Sequence, residues 1–181
     1  MPEMTDRELD LHYAKQWLNF ARYRPSMSTY DRNYPECHLR KVETYLQQAG
    51  GTLADIGTDE AEITFLDQWG RLGEACKQWL NVERAEDLGI TDPDKHARAD
   101  IAQDECHYRL EQSIKLKAIL GINDQQFEDA LHIFREHKAL TKELPVEIYQ
   151  HMRVRFEPIL MAQKPELVAT LAVEAEADIS R

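Results

Sequence analysis

"TDEAEITFLDQWGRLGEACKQWLNVERAEDL", Thr58 to Leu88, decides the fold. Phe65, Trp69, Leu72, Cys76 and Trp79 recur at spacings of 4, 3, 4 and 3, with Leu66 and Leu80 beside them. That is the period of an α-helix rather than a strand, and it gathers these residues onto one broad stripe. Asp67, Arg71, Glu74, Gln78 and Asn81 form an opposite polar stripe, on which Asp67 and Arg71 are spaced to pair at i,i+4. A helix from about 59 to 88 would span roughly 45 Å. Gly70 and Gly73 interrupt it. Glycine inside a helix costs up to about 1 kcal/mol against alanine, so the pair predicts either a bend or another backbone lying close.

The flanking chain reads as helix almost throughout. "TDRE" at Thr5–Glu8 is a capping box, and the helix it opens carries Leu9, Tyr13, Trp17 and Phe20 toward Pro25. "PSMSTYDRNYP" is a loop. Pro35 suits the first turn of a second helix, which "AGG" at Ala49–Gly51 ends. After the long helix, "TDPD" at Thr91–Asp94 opens a fourth helix that stops at Gly121. "NDQQ" at Asn123–Gln126 caps a fifth. The short turn between them predicts an antiparallel hairpin over about 94–142. Pro145 opens a sixth helix, disturbed at Pro158, and Pro165 a short last one. No strand alternation is present. The expectation is an all-α bundle of six to seven helices in a single domain, 1–181. Residues 1–50 form an N-terminal subregion of it and 174–181 a frayed tail.

Composition narrows the function classes. The chain has 181 residues, 43% apolar and 30% charged, with a formal net charge of −11. A negative field of that size disfavours non-specific nucleic-acid binding. No run approaches the roughly 20 apolar residues of a membrane span. The first residues hold acids and no apolar core, unlike a secretory signal. Three cysteines make no disulfide framework, so a cytoplasmic protein with free thiols is expected. There is no Walker loop, no G-x-G-x-x-G and no G-x-S-x-G, and no cofactor is expected.

Two metal readings arise. "ECHLR" at Glu36–Arg40 returns as "ECHYR" at Glu105–Arg109, an inventory of two Cys and two His that suits zinc. Adjacent Cys and His diverge by about 100° on a helix, however. Cys106 also shares a face with Leu110 and Ile114, whereas Cys37 shares one with Lys41 and Tyr45, a wetter face. The second reading is a di-iron site from Asp104–His107 and Asp129–His132, with Glu136 beside His132. Measured from a turn near Ile122, His107 lies about 22 Å away and His132 about 15 Å, so the two sets miss each other. His132–Glu136 then reads as a surface pair. Cys37 in a first helical turn after Pro35 would sit where the helix dipole favours thiolate, although most cysteines so placed are inert.

The remaining candidates are surfaces. Residues 22–45 hold Arg22, Tyr23, Arg24, Tyr30, Arg32 and Tyr34, a composition that suits single-stranded nucleic acid or a protein interface. The stripe of Phe65, Trp69 and Trp79 is broad enough to exceed what one small bundle covers, which implies a second copy or another protein. The expected function is therefore a non-enzymatic helical interaction module, such as a regulatory, adaptor, inhibitor or accessory subunit. Nucleic-acid binding through 22–45 and a metal-dependent bundle enzyme are the alternatives.

Overall fold

The computed structural model describes residues 3–88, 96–137 and 144–162. Those residues contain seven α-helices and no strand: α1 (Asp6–Tyr23), α2 (Met27–Tyr30), α3 (His38–Ala49), α4 (Glu60–Leu88), α5 (His96–Leu120), α6 (Asp124–His137) and α7 (Val146–Met161). The expected restart at Pro165, the frayed tail and the helix start at Thr91–Asp94 lie outside the described residues.

Helix ends follow local chemistry. The Thr5 backbone N–H donates to Glu8 at 2.8 Å, and the Glu8 N–H donates to Thr5 Oγ1 at 3.2 Å, completing the capping box. Gly50 ends α3 at φ 59°, a left-handed conformation that glycine adopts without a Cβ clash. A single 3-10 turn, Leu53–Ile56, carries the chain to α4. Asn123 and Gln126 exchange backbone–side-chain bonds at 2.9 Å to open α6. Pro158 lies inside α7, which nevertheless runs to Met161 because Phe156 and Leu160 on either side are buried.

α4 is the central element, and its neighbours surround it. Ser113 Oγ on α5 donates to the Ala75 carbonyl, and Arg109 donates to Gln78, so α5 runs antiparallel along α4. This differs from the expected hairpin. The turn at 121–123 is present, but the long packing partner of α5 is α4 and not α6. The reason lies on α5 itself. Its contact face is Arg109, Ser113, Leu116 and Leu120, while Ile114 is exposed.

α6 and α7 close over the aromatic stripe. Trp69 is fully buried, with ring centroids of Phe65, Phe134 and Phe156 at 6.0, 5.7 and 6.1 Å. Trp79 meets Phe127 edge-on at 5.6 Å. The opposite side of α4 is where the two glycines act. A Cβ at Gly70 would stand 2.7 Å from the Tyr30 backbone nitrogen, and one at Gly73 would stand 2.5 Å from Pro25 Cβ. The segment 25–30 lies directly on the helix. Of the two expectations for Gly70 and Gly73, close backbone approach is the one realised.

That strap also changes the polar stripe. Asp67 and Arg71 do pair, at 3.5 Å. Glu74 and Gln78 are nonetheless buried, not solvated. Gln78 takes Glu74 and Arg109 as partners, and Tyr30 lies under the Arg71 guanidinium at 5.2 Å.

Candidate functional site

Each candidate from the sequence has a definite place. Phe65 and Trp69 have no exposed surface, and Trp79 is partly buried against Phe127. Within this chain the stripe is covered by α6 and α7, so the expected surplus of apolar surface on α4 is absent at Phe65 and Trp69.

The basic segment is divided. Arg22 donates to Glu62 from Nε and Nη2, at 3.2 and 2.5 Å, and Arg153 of α7 donates to the other Glu62 oxygen. Thr58 Oγ1 adds a bond at 2.6 Å. Burial opposes charge on Glu62, but the bonds from Arg22, Thr58 and Arg153 together hold its carboxyl below the usual range. Two arginines on one buried carboxylate thus tie α1, α4 and α7. Tyr23 packs edge-on against Tyr149 at 5.0 Å. Arg32 pairs with Glu43. Tyr30 is held against Gly70, and burial pushes its hydroxyl up to about 12. Tyr34 is exposed. Arg22, Tyr23, Tyr30 and Arg32 therefore serve the fold, while Arg24 and Tyr34 reach the surface.

The two "ECHxR" copies stand apart. Cys37 is fully buried, and its Sγ donates to the Thr29 carbonyl at 3.4 Å. α3 begins at His38 instead of Pro35, which leaves Cys37 as the N-cap, and burial pushes its thiol up. Burial and the raised thiol agree with an inert Cys37. Cys106 is half-exposed while Cys37 is buried, so the expected wet and dry faces of the two cysteines are reversed; His107 is exposed beside Glu111, as its spacing implies. Cys106 stands two turns before Ser113 on nearly the same face of α5, next to Arg109, and is only partly covered there. Asp129 is bonded to Gln125 and Arg155, and His132 pairs with Glu136 at 3.3 Å in solvent. Asp104 and His107 lie exposed on another helix. Among the described residues no three His, Cys, Asp or Glu side chains gather to hold a metal ion.

The aromatic residues of α1 lie at the edge of the core. α1 and α3 run antiparallel, as three contacts establish. Tyr13 meets Tyr45 at 5.3 Å, the Lys41 ammonium lies 5.9 Å from the Trp17 ring, and Phe20 meets His38 at 5.8 Å. Ala14, Leu18 and Ala21 of α1, with Leu39, Val42 and Leu46 of α3, turn inward. The rings therefore line the outer seam of the helix pair. Trp17, Phe20, Tyr45 and His38 are half-buried, and Leu9 and Tyr13 are 37% and 38% exposed. Arg24 lies 5.1 Å from the Phe20 ring centroid. Burial, and then the Arg24 charge, lower the His38 pKa to about 4, so this ring is neutral at pH 7. The spacing of 13, 17 and 20 was legible. That α3 would leave their outer edges bare was not.

A cleft of about 340 Å³ opens between α3 and the start of α4. Of its apolar lining, Leu39, Val42, Leu46 and Ile63 are almost wholly buried and Leu53 is half-exposed. The chain matches no family model, and comparison with curated proteins and with solved structures finds no similar protein. No helix among the described residues is long and apolar enough to cross a membrane.

Proposed function

We propose that this helical bundle acts by binding another protein chain, and that the seam between α1 and α3 is its docking face. The observation that carries the reading is the half-exposed ladder Tyr13–Tyr45 and Trp17–Phe20–His38, edged by Arg24 and Lys41. Tyrosine, tryptophan and arginine are the residues that dominate binding energy at protein interfaces. Rings held by their neighbours lose little further rotamer freedom on binding, which keeps the ordering cost low. The deep partner of this ladder is rigid, because the same helices bury Leu18, Leu39 and Val42.

Photocrosslinking tests this directly. A photoreactive residue in place of Tyr13 should crosslink to a protein, either a copy of this chain or another, in cells of the native host. The same residue in place of Val154, which is exposed on α7, should not. Equal or absent crosslinking at the two positions would remove the reading. The nucleic-acid alternative draws on the same rings. Oligonucleotide binding that weakens with salt and with Arg24→Ala plus Lys41→Ala would reassign the seam to it.

A further inference from the structure

We infer that the partner of the seam is a second copy of this chain, docked antiparallel along α1 with Asp6 of each copy against Arg24 of the other. This rests on the seam being a docking face.

Asp6 and Arg24 are eighteen positions apart, which is five full helical turns and roughly 27 Å. They therefore occupy the same face of α1 at its two ends, and both are exposed. Between them on that side stand Tyr13, Trp17 and Phe20. Position 15 is the midpoint of Asp6 and Arg24. It is also the midpoint of Tyr13 and Trp17. Turning the helix end for end about that point places an acid on a cation twice and an aromatic ring on an aromatic ring twice, and sets Phe20 of each copy over Asp10 of the other.

α3 obeys the same symmetry. Lys41 sits level with Trp17 and Tyr45 level with Tyr13. The reversal carries Lys41 onto Tyr45 of the other copy, a cation over a ring, instead of onto the other Lys41. A parallel arrangement would set Asp6 beside Asp6 level by level along the pair and leave both ends mismatched. An isologous two-fold contact requires a surface complementary to itself, and the Asp6–Arg24, Tyr13–Trp17 and Lys41–Tyr45 pairs meet that requirement in the antiparallel sense.

Sedimentation equilibrium over a dilution series provides the test. The wild-type protein should move from the 21.1 kDa monomer to a dimer as concentration rises. Asp6→Lys makes both ends of the seam positive and Arg24→Glu makes both negative. Each variant alone should weaken the dimer, by roughly tenfold for rim charges of this kind. An equimolar mixture of the two should form a heterodimer, and the doubly swapped chain should dimerise like the wild type. Circular dichroism of every variant reports whether α1 is retained. A chain that is monomeric at every concentration overturns the inference, as does a dimer indifferent to both charge reversals. Crosslinks from position 13 to a different protein, with a monomeric chain, would overturn it while leaving the docking face in place.

Discussion

Glu62 and Asp67 are little more than one turn apart on α4 and respond to pH in opposite directions. Glu62 has two guanidinium partners and a threonine, which hold its carboxyl low against the cost of burial. Its contribution is therefore present above the ordinary carboxylate value and is lost as pH falls through its depressed folded value. Asp67 is raised to about 6, chiefly by burial, with Arg71 and Arg32 opposing and Asp31 assisting. Its folded form binds more protons than the unfolded chain between about pH 4 and 6, so its ionisation erodes stability as pH rises through that window. Urea denaturation across pH 3 to 7 should separate the two. Glu62→Gln should cost several kcal/mol at pH 7, on the order of 3, and flatten the acid limb, because it removes the buried carboxylate shared by two half-buried arginines. Asp67→Asn should flatten the window from pH 4 to 6. A wild-type profile indistinguishable from both variants would contradict this account. The Glu62 site was not legible in the sequence. Arg22, Glu62 and Arg153 lie 40 and 91 residues apart, and no periodicity links them.

At the scale of an element, α4 inverts the usual rule for glycine. In an isolated helix, Gly70→Ala and Gly73→Ala would each stabilise by up to about 1 kcal/mol. Here the added methyl would meet the Tyr30 backbone at 2.7 Å and Pro25 at 2.5 Å. Backbone yields far less readily than a side-chain tip, so each substitution should destabilise the protein, by about 1 to 3 kcal/mol. A peptide spanning α4 should become more helical with the same changes. Equilibrium unfolding of the protein beside circular dichroism of the peptide checks the opposed signs. The sequence offered two explanations for these glycines, a bend or a close backbone, and periodicity could not choose between them. The choice depends on where residues 25–30 come to rest. The same limit applies to α5, whose stop at Gly121 was readable but whose contact face was not. Leu110 and Ile114, turned away from Ser113, are as apolar as the face that α4 takes.

Across the whole molecule, aromatic residues fall into two populations that look alike in the sequence. Trp69 is enclosed by Phe65, Phe134 and Phe156, and Trp17 lies half-bare on the outer seam. Trp69→Ala should cost about 3 to 5 kcal/mol by the cavity it leaves. Trp17→Ala should cost markedly less, while removing crosslinks from position 13. Thermal melts and crosslinking yields of the two variants would report stability and binding separately. Similar destabilisation by both would mean that the seam is core after all.

The sequence by itself determined the helical class, the long helix at 59–88, the capping box at Thr5 and the stops at Gly50 and Gly121. Those features rest on local rules: a 3.6-residue period, an N-cap, a left-handed glycine. It also determined that Asp67 and Arg71 would pair, since i,i+4 neighbours meet on any helix. Only the tertiary structure decided which stripes became core. α6 and α7 covered Trp69, the strap 25–30 and α5 enclosed Glu74 and Gln78, Glu62 captured Arg22, and α3 left the rings of α1 half in solvent. A helix carries its own face but not its neighbour. Burial is settled by contacts between residues far apart in the chain, and one-dimensional spacing does not record them.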